Sequence, residues 1–340
     1  MGRLPAAILA SPSSFDSPHS GVALGVIKVI KDLVTFTIPD TANTDTSPNA
    51  AASGSWKLGD RTVHRLGFGS MRLTGTEAFH QGVPRDRATS IAVVRRAVEL
   101  GVNHIDTAAF YFSSLRSANE IVNAALAPFG DEVMVATKVG PRRDRSGAWA
   151  ESARPEDLRG DVEENLRQLG RDHLDLVYLR YMRWDTITDH FAALAELQRE
   201  GLIRHLGLSD VTTAQLAEAR TIAPVVAVQN RFGLDDTGSD DVLRACGEHG
   251  IAFVPFFALA GAKSAGDPGS TAAAGDAQVL AVAEAHGVTP QQIRLAWTLA
   301  QGPHVLAIPG TGDLAHVEAN VAAGAIRLSE EDLAAMGSAG

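Results

Sequence analysis

The sequence is short of several things, and each shortage excludes a class of protein. Cys246 is the single cysteine in 340 residues, which rules out an intramolecular disulfide framework and a thiolate-rich zinc site. Positive charge is scarce: 30 Lys and Arg stand against 40 Asp and Glu, a net charge of −10. A nucleic-acid partner, which needs a basic patch to engage phosphates, is therefore not expected. No uncharged apolar run reaches the length of a membrane span, because Lys28, Lys31 and Asp32 interrupt the best stretch, Gly21 to Ile38. Arg3 alone precedes the apolar run Leu4 to Ala10, which contains Pro5 and makes a poor secretory signal. These features point to a cytoplasmic setting. There is no phosphate-binding P-loop and no H-E-x-x-H.

What is present divides in two. Residues 1–54 hold Ser, Thr, Pro, Asn and Ala without sustained period, and are read as a disordered extension. Within them Val22 to Ile38 is apolar enough for a short helix or strand. From Trp56 the texture changes. Two short β-type runs flank Gly59-Asp60, a hairpin turn pair.

After the hairpin, β-type and helical runs alternate. The β-type runs are 66–69, 103–106, 133–138, 174–179, 205–209, 225–229, 252–255 and 305–309. Helical runs lie near 86–100, 116–127, 156–169, 187–200, 212–221, 239–249, 276–286 with 290–301, and 313–323. Pro155 and Pro290 open helices, where a missing N–H is harmless. Gly101, Gly170, Gly201 and Gly250 follow helix ends. Eight β-α pairs predict an α/β fold with a single (β/α)8 TIM barrel over residues 55–340. An open doubly wound sheet would carry G-x-G-x-x-G after its first strand. Here Gly67 and Gly69 are followed by Arg72 at the third position, and Gly75 comes too late.

Barrel chemistry sits where strands end. The ends here carry Asp106 with Tyr111 in the following loop, Lys138, Arg180, Ser209-Asp210, Gln229, Phe256 and Gly310-Thr311. A lysine on a half-buried rim needs a counter-charge, and Asp106 supplies it. Lys138 beside Tyr111 is expected to lower the phenol from its usual pKa of about 10, fitting it as a general acid for a developing alkoxide. That suits carbonyl reduction with hydride from a cofactor. Phe256 can stack on a nicotinamide, and Ser209, Asp210 and Gln229 can bond its carboxamide. The helix start after Gly310-Thr311-Gly312 offers N–H groups to a phosphate.

The order of these fragments resembles the aldo-keto reductase family over nearly all of 55–340. G-V-N-H-I-D-T-A-A-F-Y followed by Asn119-Glu120, V-M-V-A-T-K-V-G, N-L-R-Q-L-G-R-D-H-L-D-L-V-Y-L, G-L-S-D, V-Q-N and I-P-G-T with H-V-E-A-N carry the likeness. The resemblance implies a barrel closed at the bottom by an N-terminal β-hairpin, and NADPH-dependent reduction of an aldehyde or ketone without a metal. It places Asp106, Tyr111 and Lys138 in three positions of the catalytic tetrad. The fourth is normally histidine, and Arg180 stands there. It gives Ser209 and Gln229 as cofactor contacts, with Asp210 in place of Asn. Phe256 replaces a stacking tyrosine. His316 replaces a frequent Arg, Asn320 matches, and Gly312 lies where many relatives carry Arg. Weaker recognition of the 2′-phosphate follows, and NADPH is the preferred cofactor over NADH. The expected partner is a small carbonyl substrate, and the expected state a monomer or weak homo-oligomer. An alternative reading, motivated by Arg180, is a catalytically weak nucleotide-binding regulatory or partner subunit on the same barrel.

Other residues carry blander expectations. His104 reads as a hydrogen-bonded barrel histidine rather than a proton relay, and Cys246 as a small core residue. Trp149, Met182 and Trp184 are loop residues able to line a pocket. Arg142-Arg143-Asp144-Arg145 reads as a solvated loop, with a role in covering the cofactor as the alternative.

Overall fold

A computed structural model describes residues 47–76, 83–144, 146–256, 258 and 275–337. The expected extension over 1–46, with its apolar stretch, and Arg145 lie outside the described residues. The end of that extension is ordered: Ala50–Ser53 form a 3₁₀ turn capped by the Asn49 side chain. The Ala50 amide donates to the Leu100 carbonyl at 2.8 Å, and the Ser53 hydroxyl accepts from the Leu66 amide at 3.0 Å.

The hairpin forms as expected, from β1 (Ser55–Leu58) and β2 (Arg61–His64), antiparallel with Trp56 opposite Val63. Seven parallel strands follow in chain order: β3 (Phe68–Gly69), β4 (His104–Asp106), β5 (Met134–Val139), β6 (Leu174–Arg180), β7 (Ile203–Ser209), β8 (Val225–Gln229) and β9 (Ala252–Phe253). The eighth expected strand, 305–309, closes the ring. The Leu306 amide donates to the Phe253 carbonyl and the Ala307 amide to the Arg65 carbonyl, both at 2.9 Å. Gly67 and Gly69 donate back to Ala307 and Pro309. Pro309 has no N–H to give, so the ladder thins at this seam.

All the expected helices are present: α1 (Arg87–Glu99), α2 (Ala118–Leu126), α3 (Leu158–Leu169), α4 (Thr188–Arg199), α5 (Thr213–Arg220), α6 (Asp240–Glu248), α7 (Gly275–His286), α8 (Pro290–Ala300) and α9 (Leu314–Ala322). A tenth, α10 (Glu330–Met336), was not expected from the sequence; Ser329 and Asp332 start it with a capping box. The four glycines after helix ends have φ between 65° and 86°, a left-handed turn that a Cβ would strain.

Period-two alternation sorts each strand's side chains into two layers. Ile105, Val135, Val177 and Leu179 face the helices. Met134, Ala136, Leu176, Tyr178 and Ala227 face the barrel interior, where Leu58 and Val63 of the hairpin join them. The hairpin thus plugs one end with apolar side chains. The pairing of His205 Nε2 with Asp60 Oδ1 at 2.7 Å ties its turn to β7.

His104 also points inward, near this end. Burial pushes its pKa down to about 4, with a hydrogen bond to the His64 backbone opposing, so the ring is neutral at physiological pH. Its Nε2 has no partner among the described residues, so the expected hydrogen-bonded histidine is only half satisfied. The ring lies against Gly67, where an added Cβ would come within 2.2 Å of it. Gly67→Ala is therefore expected to destabilise the fold by about 1–3 kcal/mol through overpacking. His104→Ala in the same chain should recover part of the loss in a urea titration. An unchanged midpoint in the single variant would show that the ring has room to move.

Candidate active site

The inward column of each strand continues to its C-terminal end, and there the side chains change from apolar to ionisable. Lys138 follows Met134 and Ala136, Arg180 follows Leu176 and Tyr178, and Gln229 follows Ala227. Register sets them side by side: Arg180 lies opposite Ser209, and Ser209 opposite Gln229.

Lys138 Nζ donates to Asp106 Oδ1 at 2.5 Å and to the Thr107 carbonyl at 3.0 Å, and both charged side chains are about 95% buried. Gln229 Nε2 donates to the second carboxylate oxygen of Asp106 at 2.8 Å. A buried carboxylate with a cation and an amide on its two oxygens is a satisfied network. Thr107 is itself anchored. Its hydroxyl accepts from Ser70 and donates to Asn119 Oδ1, both at 2.8 Å, and Asn119 Nδ2 donates to Asn165 at 2.9 Å. This chain of small polar side chains links β4 to α2 and α3, and fixes the carbonyl that holds Lys138.

Tyr111 lies over this pair, its ring centroid 5.0 Å from Lys138 Nζ and its hydroxyl hydrogen-bonded to that ammonium. Its pKa differs from the sequence expectation in sign. Burial raises it, and that outweighs the lowering by Lys138 and Arg180, so the phenol titrates above its ordinary value. Burial works to lower Lys138, but the charges and hydrogen bonds of Asp106 and Tyr111 hold it above its usual value. At neutral pH the site therefore holds a protonated phenol beside an ammonium.

Arg180 Nη1 donates to Ser209 Oγ at 3.3 Å, and Nη2 pairs with Asp210 Oδ2 at 3.2 Å. Its guanidinium sits 5.0 Å from the Phe256 ring centroid, and that of Arg231 sits 6.0 Å away. Burial lowers the Arg180 pKa somewhat, with Asp210 and Tyr111 opposing. Asp210 has φ of 61°, a left-handed backbone uncommon for a residue other than glycine.

A pocket of about 650 Å³ opens above these groups. Asp106, Tyr111, Lys138 and Arg180 line it, and so do Ser209, Gln229, Phe256 and Gly310. Asp210 is outside the lining, held by Arg180. Thr311, just before α9, and His316 and Asn320 within it are also outside the lining; Asp313 caps the His316 amide at 3.1 Å. Trp149 and Met182 line the pocket. Trp184 does not: it stacks on His190 at 3.7 Å and donates to Ser152. Cys246 is buried in the core as expected, its thiol pushed up to about 12.

Two arginines near the site have places that the sequence did not predict. Arg143, read as part of a solvated loop, donates to the Phe110 and Phe112 carbonyls and lies 5.5 Å from the Trp149 ring, pinning two loops at the pocket mouth. Arg231, directly after V-Q-N, also lies over the Phe256 ring. Its place beside that motif was the only signal available.

The aldo/keto reductase family model matches residues 65–340. The chain belongs to the aldo/keto reductase family. This aldo/keto reductase is 42% identical over 292 residues to the pyridoxine 4-dehydrogenase of Escherichia coli, covering 84% of the chain and 98% of that protein. It is similar in structure to an aldo-keto reductase from Klebsiella pneumoniae in complex with NADPH, with a TM-score of 0.69 and 28% identity over 83% of the chain and 93% of that one. The glycerol dehydrogenase of Gluconobacter oxydans gives a TM-score of 0.73 at 25% identity, over 84% and 94% of the two chains. The aldo/keto reductase chain is accordingly an oxidoreductase built on a (β/α)8 barrel. Among the described residues no helix is long and apolar enough to cross a membrane.

Proposed function

We propose that the chain reduces an aldehyde or ketone with NADPH, and that Tyr111 donates the proton. The observation that carries this is the buried Asp106–Lys138–Tyr111 cluster at the floor of the pocket. A nicotinamide cofactor fits the residues present. Ser209 and Gln229 bring hydroxyl and amide groups into the pocket that Phe256 also lines, which suits a planar ring bearing a carboxamide. Gly69 and Gly310 approach so closely that a Cβ on Gly310 would lie 2.6 Å from the Gly69 carbonyl. Both glycines are therefore required by backbone packing at the seam, which lines the pocket on that side.

A nicotinamide held by Ser209, Gln229 and Phe256 would supply hydride for the carbonyl carbon. The protein's part is to hold the carbonyl oxygen and protonate it. As negative charge develops there, the Tyr111 hydroxyl gives up its proton and the C–OH is formed. Lys138 stabilises the phenolate left behind. Asp106 holds Lys138 charged and in place. Arg180 donates hydrogen bonds toward the oxygen but cannot act as a base. The similarity to pyridoxine 4-dehydrogenase makes a heteroaromatic aldehyde of the pyridoxal type the first substrate to test, and aromatic walls from Phe110 and Trp149 suit a flat ring.

The test is NADPH consumption with pyridoxal, simple aldehydes and diketones. Turnover is expected with at least one, and cofactor binding without turnover would favour the regulatory reading instead. Arg180 allows a sharper check. Its charge lowers the Tyr111 pKa, and reduction needs the protonated phenol, so the rate falls as pH rises through that pKa. Arg180→Met should move this alkaline limb to higher pH. An unmoved limb would remove the electrostatic role of Arg180.

A further inference from the structure

The bare backbone at Gly312, which the sequence reads as a lost cation, is covered by another one. Arg85, from the segment just before α1, lays its side chain over Gly312. A Cβ there would fall 2.3 Å from Arg85 Nε and 2.5 Å from its Cδ and Cζ. The guanidinium is fixed from behind, since Nε donates to the Arg72 carbonyl at 2.9 Å and to the Gly75 carbonyl at 3.2 Å. No described residue accepts a hydrogen bond from its two terminal nitrogens. Their edge is therefore a preorganised fork of the kind that binds phosphate in two places. Arg72, whose carbonyl holds Arg85, and Pro309 and Gly310, just before Gly312, line the pocket, so the fork adjoins its lining. The Asp313 carboxylate, which feels the Arg85 charge, is engaged in capping the His316 amide, and Asp86, next to Arg85 in sequence, caps the Thr89 amide.

We propose that Arg85 is the specificity-determining residue for the cofactor's 2′-phosphate, reading it across Gly312 from a loop on the opposite side of the seam between β3 and 305–309. This rests on the NADPH reading above. It replaces the expectation of weak 2′-phosphate recognition with a specific donor. The rival is a structural one, in which Arg85 only staples the carbonyls of Arg72 and Gly75.

Binding separates the two, and no turnover is needed. The full chain is titrated with NADPH, NADH, 2′-AMP and 5′-AMP, following protein fluorescence or heat. Arg85→Gln should raise the Kd of NADPH and 2′-AMP by roughly 10- to 100-fold, the range of a charge-assisted contact, and leave NADH and 5′-AMP within about twofold. Gly312→Ala, which displaces the guanidinium, should show the same selective loss. Equal weakening of all four ligands, or no change in any, would overturn the assignment. Wild-type protein that binds NADPH and NADH equally would also overturn it. Wild-type protein that binds neither would instead overturn the cofactor reading beneath it.

Discussion

Tyr111→Phe should lower kcat for carbonyl reduction by about 10²- to 10⁴-fold, the usual worth of a positioned general acid, while NADPH affinity stays within about twofold. The substitution removes one oxygen and little else. Tyr111 is 7% exposed, and its ring packs edge-on against Phe110 at 5.0 Å, a contact phenylalanine keeps. Two opposed influences on the phenol make the loss large. Burial keeps it protonated at neutral pH, so the acid is present when the carbonyl arrives. Lys138 and Arg180 favour the phenolate, so the proton leaves readily once a basic oxygen is there to take it. Steady-state rates and a cofactor titration on the same preparation check both halves. A kcat near wild type would mean that the proton comes from elsewhere, and the proposed chemistry would fail at its first step.

Lys138→Met should cost the fold about 3–5 kcal/mol, read as a shift in the urea midpoint. Removing the ammonium leaves the Asp106 carboxylate buried with the Gln229 amide as its only described side-chain partner. Attraction between the pair does not set the size of this loss; the abandoned charge does. The double variant Lys138→Met with Asp106→Leu should therefore recover most of the stability and remain inactive. If the double variant is no more stable than the single one, the loss comes from packing around residue 138 and not from charge.

The fold was legible because β4, β6, β7 and β8 end in a polar residue and many helices begin on an Asp, Ser or Thr cap or are followed by glycine. The eighth strand could be read from 305–309 although its ladder is thin, since the alternation ahead of it required closure. Helix α10 escaped because its seven residues are too few to show a period, although its capping box was in plain sequence. The site divides in the same way. Asp106, Lys138, Arg180, Ser209 and Gln229 were visible as strand ends, and register alone brings them together. Sequence distance hides what loops do. Arg143 meets carbonyls 33 and 31 positions away, and Arg85 lies over a glycine near the other end of the chain. The sign of the Tyr111 shift was misjudged for a related reason: a neighbouring cation can be read from sequence, but the burial that outweighs it cannot.

Lys138 stands two residues above Ala136, and Arg180 two above Tyr178, so the floor of the pocket and the roof of the apolar core are one layer of atoms. Natural variation cannot reshape that floor without disturbing the packing that keeps the barrel folded. The walls have no such tie. Phe110, Trp149, Met182 and Phe256 come from loops, and Trp149 is 55% exposed. New substrates are therefore expected to be acquired by exchanging wall residues around an unchanging floor.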